Sequence, residues 1–120
     1  MFNQKLISMN TENAQSQMRK GMLEYCILLL LQRAPAYSAD IIKQLEQADL
    51  IVVEGTLYPL LTRLKNSGYI GYEWQESLYG PPRKYYNLTE KGKEFLSVLD
   101  QSWTNLEKTV NILRNTNPNN

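Results

Sequence analysis

Histidine is absent from this chain, and cysteine occurs once, at Cys26. Those shortages remove the commonest general base, the cysteine-rich zinc sites and any disulfide framework. The acids Glu73, Glu76 and Glu90 are scattered rather than paired, and no glycine-rich phosphate loop is present. No general acid–base or metal constellation can be assembled from them, so neither an enzyme nor a cofactor is expected. An excess of one charge is missing too. The formal net charge is +1, so binding to nucleic acid has to come from local clusters, or from doubling them in an oligomer. The apolar run CILLLL at 26–31 falls far short of the ~20 residues that span a bilayer, and no membrane partner is expected. Residues 1–17, rich in Asn and Gln, lack the apolar core of a secretory signal. The start at Met1 and a start at Met9 both stay open. A small buried thiol at Cys26 fits a reducing cytoplasm.

What is present fills 120 residues, enough for one domain and too short for two with separate cores. Periodicity predicts a helix over about 18–33, apolar on nearly every side from Met22 to Leu31 and ending before Ala34-Pro35. A second helix is predicted from Ser38, a favourable N-cap, to about Ala48, with Ile41, Ile42 and Leu45 inward. The third is EGTLYPLLTRLKN, closed by Gly68. Then the period changes to that of two strands, YIGYEW at 69–74 and RKYYNL at 83–88, joined by QESLYGPP. Thr89 caps a last helix running to roughly Arg114. This order is that of a winged helix-turn-helix with one added helix, mainly α with a small β-hairpin (α+β). The expected division is a flexible arm at 1–17, loose or a short helix, a winged helix-turn-helix at 18–88, a dimerisation helix at 89–114 and a disordered polar tail at 115–120.

The third helix carries the sharpest signal. Leu57, Leu60, Leu61 and Leu64 share one stripe at the helical repeat, while the opposite side holds Gly55, Pro59, Thr62 and Asn66, flanked by Tyr58 and Arg63. A solvated face would be Glu and Lys; a small, aromatic face suits close approach of a duplex. Gly55 permits that approach, Thr56 and Thr62 offer hydroxyls, Tyr58 a phenol, and Arg63 reach to backbone or guanine. Pro59 costs little if the helix begins near 55–56 and bends it if the helix begins at Val53 or Glu54. The bland alternative is a face packed on another protein element. Arg83 and Lys84, directly after Pro81-Pro82, supply positive charge on the wing, or else end a solvated strand. Arg19-Lys20 touches phosphate or solvent.

In the last helix, Leu96, Leu99, Trp103, Leu106, Val110 and Leu113 are spaced 3, 4, 3, 4, 3, an a/d seam that calls for a partner helix. A two-fold homodimer follows, with a roughly palindromic double-stranded DNA site. Trp103 either lines a slot for a flat aromatic or cationic ligand or fills the dimer core. A winged-helix module that binds protein instead of DNA is the competing reading.

The motifs MRKGMLEYCILLLL, EGTLYPLLTRLKNSGYI and GPPRKYYNLTEKG, in that order, resemble the PadR family of bacterial transcriptional regulators over residues 18 to about 95. The resemblance implies a dimeric winged-helix repressor whose DNA binding is relieved by a small molecule, often phenolic or planar. It implies DNA roles for Gly55, Thr56, Tyr58, Pro59, Arg63, Arg83 and Lys84, and for Tyr37 at the start of the second helix. The pair Ser102-Trp103 matches multidrug-sensing members. The segment YSADI at 37–41 departs from the family's Tyr-Gly-Tyr-Glu-Ile.

Overall fold

The computed structural model describes residues 4–115, with side chains described at 14, 18, 19 and from 21 onward. The elements are α1 (Gln4–Arg33), β1 (Ala36–Tyr37), α2 (Ser38–Gln47), α3 (Glu54–Asn66), β2 (Ile70–Ser77), β3 (Gly80–Leu88) and α4 (Glu90–Asn115). The three strands form one antiparallel sheet in the order β1-β3-β2. Helices α1, α2 and α3 wrap a core whose fully buried members include Ile27, Leu28, Ile41, Leu57, Leu61 and Leu64. The leucine stripe of α3 faces this core as its spacing predicts, with Leu60 at the margin.

Of the two alternatives for the N-terminal arm, loose or helical, residues 4–17 take the helical one and are the first turns of α1; neither proline nor glycine interrupts the chain before Gly21, and the helix runs on. The tail at 115–120 lies outside the described residues except for Asn115, which ends α4. Ser38 is not the N-cap of α2. Tyr37 is, with φ −78° and ψ 159°, because the Asp40 carboxylate accepts the Tyr37 amide at 3.2 Å. Ser38 is thereby left to meet Tyr58.

The hairpin is longer than 69–74 and 83–88. Both strands extend into QESLYGPP, and the register shifts between Gln75 and Ser77. Pro81 and Pro82 fit there because β1 pairs with β3 only at Tyr85 and Tyr86, so that end of β3 has a single neighbour. Strand β1 itself was not anticipated, since two residues are too few to show an alternation.

The joints around the wing follow from local chemistry. Gly68 adopts φ +82°, and the Gly68 and Tyr69 amides donate to the Lys65 and Leu64 carbonyls, which closes α3. The Thr89 hydroxyl accepts the Gly92 amide at 3.0 Å and donates to the Gly68 carbonyl at 2.6 Å, so the start of α4 is tied to the end of α3. Gly92 lies so close to the Tyr69 backbone that a Cβ would stand 2.0 Å from its carbonyl oxygen.

Candidate nucleic-acid interface

The exposed side of α3 carries Gly55, Thr56, Tyr58, Pro59 and Thr62. The helix begins at Glu54, which makes Pro59 an interior residue, past the first turn. Thr56 and Leu57 amides both donate to the Val53 carbonyl, starting the helix without a side-chain cap.

Beside this face lies a recess of about 300 Å³ between α2, α3 and the wing, with Tyr37, Ser38, Tyr58, Trp74, Arg83 and Lys84 among its walls. The cap position of α2 fixes Tyr37, whose hydroxyl donates to Gln75 Oε1 at 2.8 Å and whose ring stands 4.8 Å from that of Tyr85. The Arg83 guanidinium lies over the Tyr37 ring at 4.0 Å. Lys84 Nζ stands 4.6 Å from the centre of the Tyr72 ring and 5.4 Å from that of Trp74. Ser38 Oγ and Tyr58 Oη are 3.2 Å apart.

Among the described residues the ion pairs are Arg63–Glu24 and Lys93–Glu90. No carboxylate among the described residues therefore forms an ion pair with Arg83 or Lys84, and both are steadied by aromatic faces, which orient a cation without cancelling its charge. The recess thus combines two cations that no described carboxylate pairs with and hydroxyl and phenol groups, the donor set that phosphate oxygens accept from.

The structure gathers Tyr37, Tyr58, Arg83 and Lys84 at this one place and sets Gly55, Thr56, Pro59 and Thr62 on the adjoining face. Arg63 stands apart. Its guanidinium is bound by Glu24 of α1, joining α3 to α1 instead of extending the recess. Trp74, Ser38 and Gln75 were not foreseen as parts of the site; the only sequence signal for Trp74 was its place on the wing.

Along α4, Leu96 is buried in the domain's own core and Leu99 packs at its edge. From Trp103, 42% exposed, through Leu106, Val110 and Leu113, 71% exposed, the seam is bare. Tyr25 of α1 donates to Asp100 of α4 at 2.5 Å. That bond, with burial, pushes the Tyr25 phenol up to about 12. Burial also raises Cys26 and Tyr86. Among the described residues no helix is long and apolar enough to cross a membrane, and no three Cys, Asp or Glu side chains gather to hold a metal.

A three-helix unit closed by a hairpin whose base borders the exposed face of α3 is a winged helix-turn-helix. The profile of the PadR-like transcriptional regulators matches residues 27–98, and this chain belongs to that family. A PadR-like transcription factor from Bacteroides fragilis is 65% identical, with 84% of this chain and 98% of that one covered, at a TM-score of 0.74. A PadR family transcriptional regulator from Eggerthella lenta is 30% identical, covering 94% and 99%, at a TM-score of 0.82. A PadR-like regulator from Bacillus cereus is 38% identical over 84% and 99%, at a TM-score of 0.74. An uncharacterised protein of Lysinibacillus sphaericus is 27% identical, covering 81% of this chain and 92% of that one.

Proposed function

We propose that this PadR-family regulator acts as a homodimeric repressor that binds a palindromic DNA operator and is released by a planar aromatic or phenolic ligand. The observation that carries the DNA part is the convergence of Tyr37, Tyr58, Arg83 and Lys84 on one recess whose cations pair with no carboxylate among the described residues. A backbone phosphate seated there orients the exposed face of α3 into the major groove, where Thr56 and Thr62 meet base edges. Arg63 contributes indirectly, through its bond to Glu24. The bare seam of α4 supports the dimer, and doubling the recess by two-fold symmetry supports a site with half-sites about one helical turn apart.

The ligand part rests on Trp103, the one large aromatic in that seam. If two helices meet there, paired indoles form a slot for a flat ring. Two experiments test the whole reading. Selection from a random duplex pool is expected to enrich an inverted repeat. Titration of Trp103 fluorescence in a Trp74→Phe background, using planar cations and phenolic acids, is expected to show quenching by one class together with release of the selected DNA. Trp103→Ala is expected to stay dimeric and lose that ligand. Quenching without release would remove the ligand from regulation.

A further inference from the structure

Gly55 and Pro59 stand four residues apart on the exposed face of α3, one above the other. They are the two poorest helix formers, and nothing in the packing of this chain calls for Gly55. A Cβ on Gly55 would meet nothing within 4 Å, and its backbone is not in the left-handed region, where Gly68 is. Pro59 is exposed at the sixth residue of the helix. There its missing N–H removes the usual donor to the Gly55 carbonyl, and its ring crowds that same carbonyl. Helix stability is thus given up twice at one spot. Both losses fall on the same atom: a carbonyl oxygen deprived of its i+4 amide, on an exposed residue that carries no side chain.

We propose that the Gly55 carbonyl oxygen reads a base, accepting a hydrogen bond from the exocyclic amino group of an adenine (N6) or a cytosine (N4) in the major groove. The inference rests on the DNA-binding reading above and adds how one base pair is chosen. In the major groove adenine and cytosine present amino donors, whereas guanine and thymine present acceptors. A carbonyl can only accept, so it favours A or C at one position of each half-site. The hydroxyls of Thr56 and Thr62 both donate and accept, and discriminate less. The absent Cβ lets the backbone come within hydrogen-bond reach of a base edge, which an alanine methyl would obstruct.

The test compares the full-length protein with its Pro59→Ala variant, whose restored amide occupies the Gly55 carbonyl. Each is used to select from a random duplex pool. Affinities are then measured on the wild-type site and on the same site with the amino group deleted, purine replacing adenine or 2-pyrimidinone replacing cytosine. One position chosen as A or C by the wild type should become unselective in Pro59→Ala. Deleting its amino group should weaken the wild type about fivefold and leave the variant unchanged. The variant should also unfold at a higher temperature. Identical base preferences in the two proteins, or equal weakening of both by the deletion, would overturn the proposal. A wild type that enriches no sequence would overturn the DNA-binding reading and this one with it.

Discussion

A methyl group added at Gly92 would lie 2.0 Å from the Tyr69 carbonyl oxygen, whereas one added at Gly55 would meet nothing within 4 Å. The two glycines therefore answer to different demands, one from the chain's own packing and one from outside it. Gly92→Ala should lower stability by about 1–3 kcal/mol, because backbone has to give way. Gly55→Ala should raise stability by roughly 0.5–1 kcal/mol through helix propensity, yet weaken DNA binding. Thermal unfolding and a binding titration on the same two variants check both signs; a Gly55→Ala protein that binds DNA as well as wild type would mean that no close approach occurs there. Tyr25 gives a prediction in pH. Its phenol is raised from the ordinary 10 to about 12 by its bond to Asp100 and by burial. The folded state thus holds the proton more tightly than the unfolded chain. That stabilisation is complete below pH 10 and is lost as pH rises toward 12. The melting temperature of Tyr25→Phe should accordingly fall less steeply than that of wild type across this window. Residue identities alone concealed several roles. Ser38 has the chemistry of an N-cap, but Asp40 reaches the Tyr37 amide first. Arg63, read from the sequence as a DNA contact, also pairs with Glu24 of α1. Both outcomes depend on neighbours brought in by tertiary folding, which local sequence does not display.

At the scale of elements, the signals written in period were the ones a reader of the sequence could use. The leucine stripe of α3, the Gly68 stop and the Thr89 cap all act as their residue types dictate. The sheet was less legible. Strand β1 is two residues long, and the hairpin extends past prolines that normally break strands, which is possible only where β3 has one neighbour. The recess was legible as separate residues on three segments; that they share one cavity with Trp74 as a wall required the fold. Thr89 joins two of these elements, since its hydroxyl both caps α4 and binds the Gly68 carbonyl. Thr89→Ala should cost about 1–2 kcal/mol in denaturant unfolding, and Thr89→Ser should recover most of it. Equal losses in the two variants would place the contribution in the methyl group instead of the hydroxyl.

The molecule as a whole is long and thin, 64 × 36 × 24 Å, with a radius of gyration of 18.1 Å. A compact chain of this size would have a radius of about 14 Å, so the long helices reach beyond any core one copy can build. Leu106, Val110 and Leu113 are left bare in consequence. Replacing Leu106 and Val110 together with Glu should yield a folded monomer with unchanged helix content near the core and much weakened DNA binding, as read by light scattering and titration. A double variant that remains dimeric would move the interface elsewhere. The most direct measurement of the central claim, that the recess seats phosphate, is the salt dependence of DNA affinity for wild type and for Arg83→Ala/Lys84→Ala. With four cations removed per dimer, the slope of log affinity against log salt should flatten by about 3–4. A double variant with the wild-type slope would contradict it, and the wing would hold no phosphate.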